Sequence, residues 1–172
     1  YDDFGVIIEK MAPKDKNDPI RMSGYFTSNR PSGKGKDDLY YFEARNENIF
    51  NLEGLVEEKV YEDPNDPNSP VVDFNLLNEA LVKLRLYGNG LEFKDSIRTN
   101  KLGQFEFPLD KNSNYNLLSS KDGYFTQTAN VSTVGQEDPS KVYVTLKVRI
   151  VMEKIFEEKE IVIPNIYYDY DK

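Results

Sequence analysis

The stretch Val142-Tyr143-Val144-Thr145-Leu146-Lys147-Val148-Arg149-Ile150 decides the fold. Its aliphatic side chains fall on every second residue, with Tyr143, Thr145, Lys147 and Arg149 between them. Successive side chains of a strand point to opposite faces, so this period of two describes a strand buried on one face. Working outward, Phe105, Phe107 and Leu109 repeat the pattern against Gln104 and Glu106, and Val82, Leu84 and Leu86 against Lys83 and Arg85. Tyr115 and Leu117 open a further run, and Tyr124 to Val131 another.

Turn chemistry separates these runs: Gly88-Asn89-Gly90, Asn100-Lys101-Leu102-Gly103, Lys111-Asn112-Ser113-Asn114 and Lys121-Asp122-Gly123. Short alternating strands with such punctuation predict an all-β fold, an antiparallel sandwich or barrel. One stretch reads two ways. Phe74, Leu77, Leu81 and Leu84 have helical spacing, whereas Ala80, Val82, Leu84 and Leu86 have strand spacing. The strand reading, beginning near Ala80, agrees with its neighbours. Val82, Leu84, Leu86, Phe105, Phe107, Val142, Val144 and Leu146 are the expected core.

The 172 residues allow one ordinary domain, or a small one with extensions. Aromatics at 13% argue that most of the chain folds. A net charge of −8 speaks against a nucleic-acid backbone as partner. The absence of Cys removes disulfides, thiolate nucleophiles and Cys-ligated metals. The absence of His removes Ser-His-Asp and Cys-His catalysis and His-ligated zinc. A chain without Cys suits a reducing compartment, and equally a secreted bacterial domain without staples. No uninterrupted apolar run of membrane-spanning length occurs. Tyr1 opens the chain, which raises the expectation of a fragment or a processed product.

Three zones differ in composition. Aromatics of the first 50 residues cluster at Gly24-Tyr25-Phe26 and Leu39-Tyr40-Tyr41-Phe42. Residues 51–70 are acidic and end in Asp63-Pro64-Asn65-Asp66-Pro67-Asn68-Ser69-Pro70, which reads as a loop. From about Val71 to Ile163 strands and turns alternate.

Several of these segments carry a resemblance. Leu77-Asn78-Glu79-Ala80-Leu81-Val82-Lys83-Leu84, then Thr99-Asn100-Lys101-Leu102-Gly103-Gln104-Phe105-Glu106-Phe107-Pro108-Leu109, then Tyr115, Lys121-Asp122-Gly123-Tyr124 and Ser132-Thr133 resemble a carboxypeptidase regulatory-like domain. The likeness covers about residues 50–150 and implies a transthyretin-like (prealbumin-like) seven-stranded antiparallel β-sandwich. It departs from the family at Asp63–Asn75, an insertion where a short turn and a Pro-Leu pair are usual. Upstream, Asp2-Asp3-Phe4-Gly5, Gly24-Tyr25-Phe26-Thr27-Ser28-Asn29-Arg30-Pro31 and Gly33 to Phe42 resemble a PD40 repeat of β-propellers. Downstream, Glu160-Ile161-Val162-Ile163-Pro164-Asn165-Ile166-Tyr167-Tyr168-Asp169-Tyr170-Asp171-Lys172 is similar to the first strand of an OmpA-type peptidoglycan-binding domain.

The expected organisation is therefore a propeller-blade remnant at 1–46, the sandwich at 47–150, and a linker with a first OmpA-like strand at 151–172. That order resembles Bacteroidetes outer-membrane-associated proteins, some of them from the type IX secretion apparatus. It implies a periplasmic, outer-membrane-associated spacer and protein-interaction module that is not an enzyme. The partners it implies are the neighbouring propeller and OmpA-like domains, other envelope proteins, and peptidoglycan only through a domain beyond Lys172. A ligand- or carbohydrate-binding sandwich of a surface adhesin or uptake protein is the alternative. The accessory domain of a metallopeptidase suits the C-terminal segment less well.

No catalytic, cofactor or metal residue stands out, and no cofactor is expected. Asp63, Asn65, Asp66 and Asn68 offer hard oxygens to calcium, but a Pro/Asx turn alone explains their spacing. Ser32-Gly33-Lys34-Gly35-Lys36 lacks the earlier Gly of a Walker loop, where Ser28 and Arg30 stand, and reads as a turn. Ser120 and Lys121 are adjacent, so on a strand they point apart and make no Ser-Lys pair, with Ser119 beside them. Tyr40, Tyr41, Tyr124 and Tyr143 are candidates for an aromatic platform, or for half-buried cross-strand packing. The apolar tail at Ile161–Lys172 is expected to pair with residues 1–46 or with a second copy.

Overall fold

The computed structural model describes residues 3–31 and 33–156, which form eleven β-strands. Three build a separate antiparallel meander in the order β1 (Asp3–Lys10), β2 (Ile20–Ser28), β3 (Asp38–Arg45). The other eight build a sandwich. One sheet has β11 (Tyr143–Met152) on one side of the long β4 (Ile49–Tyr61). On the other side of β4, β8 (Gln104–Leu109) pairs with its first half and β5 (Val71–Leu76) with its second. The facing sheet runs β10 (Gln127–Ser132), β9 (Asn114–Ser120), β6 (Leu81–Tyr87), β7 (Leu91–Arg98).

Alternation decides what lies between the sheets. Phe50, Leu52 and Val56 of β4, Val82 and Leu84 of β6, Phe105 and Phe107 of β8, Tyr115 and Leu117 of β9, and Ile150 and Met152 of β11 are all buried. Of the expected core, Val142 is buried too, while Leu86, Val144 and Leu146 pack against it partly covered. Full burial of side chains this size is worth about 1.5–3 kcal/mol each. The alternation-derived register holds.

The Thr99-to-Phe107 segment shows why its residues are spaced as they are. The Thr99 hydroxyl is buried, donates to the Leu77 carbonyl at 2.7 Å and accepts the Ala80 N–H at 3.0 Å. The Asn100 side chain accepts from the Leu102 and Gln104 N–H groups, each at 2.9 Å, and closes the turn. Gly103 sits at φ +69°, and a Cβ there would meet the Val56 carbonyl oxygen at 2.4 Å. Its own carbonyl accepts the Val56 N–H at 2.8 Å. Phe105 then lies over Gly54, where an added Cβ would stand 1.9 Å from the ring.

Three expectations need correction. The sandwich has eight strands, not seven, because the insertion ends in β5, which folds back onto β4. Its sheets are not wholly antiparallel, because β4 and β11 run parallel from Ile49↔Tyr143 to Glu58↔Met152. The run expected from Tyr124 starts only at Gln127, and Tyr124 instead bridges Lys154. The strand reading of Leu81–Tyr87 stands, and Phe74 is exposed on β5.

Candidate interaction surfaces

The meander is built of three cross-strand rows: Val6–Phe26–Tyr40, Ile7–Tyr25–Tyr41 and Ile8–Gly24–Phe42. Neighbouring rows face opposite ways, so both faces of this single layer are apolar and aromatic. On one face Phe26 stacks on Tyr40 (centroids 5.5 Å apart), contacts Phe42, and lies beneath the Arg30 guanidinium at 4.8 Å. On the other, Tyr25 and Tyr41 meet at 5.2 Å. Val6 and Ile7 are 64% and 67% exposed on the free edge strand. Among its described residues the meander has no fully buried apolar side chain.

A joint ties the meander to the sandwich. Arg45 donates to the Pro139 carbonyl at 2.6 Å, and the Asn46 N–H donates to Pro19 at 2.8 Å. The Asn48 amide donates to the carbonyls of Asp138 and Lys141 and accepts the Asp138 N–H at 2.9 Å. Lys141 and Ser140 hold the Asp138 carboxyl down at about 2. In the β1–β2 loop, the Lys10 ammonium and the Lys14 and Ile20 N–H groups do the same for Asp18, again to about 2.

On the outer face of the β11-β4-β8 sheet each cation is matched by an acid. Glu57 pairs with Arg149, Lys59 with Glu153, and Glu53 approaches Lys147 at 3.9 Å. Arg149 also covers the Phe74 ring at 4.4 Å. A shallow depression of about 370 Å³ lies among Glu53, Leu55, Gln104, Glu106 and Lys147. Burial, and then the Glu58 carboxylate that its hydroxyl bonds, push the Tyr124 phenol well above its ordinary range.

Residues singled out from sequence fall as follows. Asp63, Asn65, Asp66 and Asn68 lie in the exposed β4–β5 loop. Asp63 accepts the Asn65 N–H at 2.9 Å and Asp66 the Asn68 N–H at 2.8 Å, two successive Asx turns. Among the described residues no group of acidic side chains is arranged to hold a metal ion. Ser119 is buried and donates to the Met152 sulfur, while Lys121 reaches the Asn78 carbonyl at 2.6 Å. They do not converge. Of the Gly33–Lys36 turn, Gly35 donates to Asp38 at 2.9 Å, and Ser32 lies outside the described residues.

The four tyrosines are not one platform. Tyr40 and Tyr41 sit on opposite faces of β3, Tyr143 opens β11 and Tyr124 bridges the chain just past its end. The tail at Ile161–Lys172 lies outside the described residues. Sequence reasoning passed over β4 and the Asn48 clamp. Phe50, Leu52 and Val56 carry the strand signal at period two, interrupted by Gly54.

No family model and no curated protein matches the chain. Among solved structures it is similar to the crystal structure of a minor pilin from the Gram-positive pathogen Streptococcus agalactiae, at 13% identity and a TM-score of 0.43. The match covers 84% of this chain and 64% of the pilin, so the chain spans less than two thirds of that structure.

Proposed function

We propose that this protein is a non-catalytic spacer and protein-interaction module of the bacterial envelope. The observation that carries the reading is the parallel pairing of the first and last strands of the sandwich. Ten consecutive pairs join β4 to β11, so the chain enters at Ile49 and leaves at Met152 about 30 Å away along the same sheet. An antiparallel pair would bring both connections to one end. Parallel pairing puts whatever precedes and whatever follows at opposite ends of a rigid body.

The meander supports the interaction half of the proposal. A sheet needs a second layer against each apolar face, and both faces of this one carry aromatics. A propeller blade, stacked between two others, has that requirement. With the resemblances at both ends, this favours a periplasmic, outer-membrane-associated protein in which the sandwich separates a propeller from a peptidoglycan-binding OmpA-like domain. Type IX secretion is one setting for such an assembly.

The test uses the absence of Cys from the chain. Glu47→Cys and Ile155→Cys, introduced together and spin-labelled, should give one narrow distance distribution centred at about 30 Å or more. A distribution below about 20 Å, or one as broad as a flexible linker gives, would contradict a rigid spacer.

A further inference from the structure

The outer face of the β10-β9-β6-β7 sheet differs from its counterpart across the sandwich. Its outward positions are those opposite the buried Val82, Leu84, Tyr115 and Leu117. Reading across the register, one row is Asn130, Asn116, Arg85 and Phe93, one residue from each strand. Tyr87 and Leu91 form the row on one side of it, and Lys83 and Ser96 belong to the row on the other. Beyond these, Arg98 faces out opposite Leu81. No outward strand position on this face carries a carboxylate. Glu92 and Asp95 pair with Leu86 and Leu84 and point the other way, since a bulge at Lys94 shifts the register.

The chain as a whole is acidic, and the opposite outer face matches its cations with acids. Here Lys83 and Arg85 have no carboxylate or hydrogen-bond partner among the described residues, and Arg98 donates only to the Glu79 carbonyl. Arg85 is half-buried at the centre of the face, where a guanidinium gains most from an anionic partner.

Beside it stands a set of polar groups that hold one another in place. The Asn130 side-chain oxygen accepts from both the Asn116 amide at 3.0 Å and the Tyr87 hydroxyl at 3.3 Å. Asn116 is itself buried, so it holds the exposed Asn130 in place and leaves the Asn130 NH2 to bond a ligand. Phe93, 58% exposed, and Tyr87, 47% exposed, supply flat apolar surface at either side.

We propose that this face binds an acidic polysaccharide. Arg85, with Lys83 nearby, takes a sugar carboxylate; the Asn130 amide, held by Asn116, bonds sugar hydroxyls; Phe93 and Tyr87 pack against the C–H faces of the rings. The row crosses four strands and is about 14 Å long, which suits a short run of sugars. Hydroxyl-rich ligands answer the neutral amides in a way that phosphate backbones do not. Three cations are also too few for the broad basic surface that nucleic acid requires.

Affinity electrophoresis of the whole chain in native gels tests this, with polygalacturonate as the acidic glycan and dextran as the neutral one. Polygalacturonate should retard the protein and dextran should not. Arg85→Gln should weaken retardation at least tenfold and Phe93→Ala several-fold, with urea midpoints confirming that both variants fold. Lys147→Gln, on the opposite outer face, should leave it unchanged. Retention that survives Arg85→Gln in a folded protein, or that Lys147→Gln weakens equally, would overturn the assignment. Should Phe93→Ala bind like the parent, the stacking surface would be wrong. Displacement by poly-glutamate at equal charge would make the ligand an acidic peptide and overturn the glycan.

Discussion

The meander and the sandwich are made of similar material and reach opposite results. Both are strand-rich, both carry cross-strand aromatics, and both alternate along their strands. In the sandwich two sheets face each other, and Phe50, Leu52, Val82, Phe107, Tyr115 and Leu117 disappear between them. The meander spreads comparable residues over two faces of one layer, leaving Val6, Ile7, Leu39 and Tyr41 exposed. Apolar content alone does not make a core; a second layer does. The sandwich should therefore stand alone, and the meander should depend on what covers it.

The sharpest way to break that contrast is a pair of aromatic truncations. Phe107→Ala empties a fully buried site and should cost about 3–5 kcal/mol. Phe26→Ala, in the half-covered meander, should cost about 1 kcal/mol or less and leave the urea midpoint of the sandwich in place. Equal effects would mean that the two regions share one cooperative unit.

Next in size is Thr99→Val, which keeps the shape but orphans the Ala80 N–H and the Leu77 carbonyl. The expected loss is about 1–3 kcal/mol in chemical denaturation. This residue also shows what was legible in the chain. The Thr99, Gly103, Phe105 and Phe107 spacing, the turns and the strand periodicity each reflect local chemistry, so they could be read directly. The second half of β4 and all of β5 could not. Val71–Leu76 is exposed throughout, and its strand character comes only from pairing with Glu57–Tyr61, a contact across an insertion. The parallel β4–β11 pair joins segments some ninety residues apart, and local pattern carries no direction of pairing. For the same reason four tyrosines that look like a set in the chain are scattered. The Asn130–Asn116–Arg85–Phe93 row draws one residue from each of four strands and appears only once the register is known.

A smaller effect should appear at the joint. Asn48→Ala removes three hydrogen bonds between the connector and the Asp138–Lys141 loop. Limited proteolysis should cut faster between Arg45 and Ile49, while the sandwich strands remain intact. No change in cleavage rate would show that Arg45 and Asn46 alone hold the two regions together.

The smallest expected effect is electrostatic. Asp18 and Asp138 are held at about 2 in the folded chain against an ordinary value of 3.8. Folded values below the unfolded one mean that their contribution is present above about pH 4 and lost as pH falls towards 2. Acid titration followed by NMR should show the β1–β2 loop and the joint loosening in that window before the sandwich core responds. Loosening that begins near neutral pH would contradict the ion-paired description of both sites.

Amide hydrogen exchange resolved along the chain tests the central contrast most directly. Strands β4, β6, β8 and β9 should exchange only through global unfolding, with protection that tracks the full stability of the sandwich. Strands β1–β3 should exchange through far smaller openings, orders of magnitude faster, and should slow when a covering partner is supplied. Protection of β1–β3 equal to that of the sandwich, in the isolated chain, would contradict the account of the meander as a layer awaiting its neighbours.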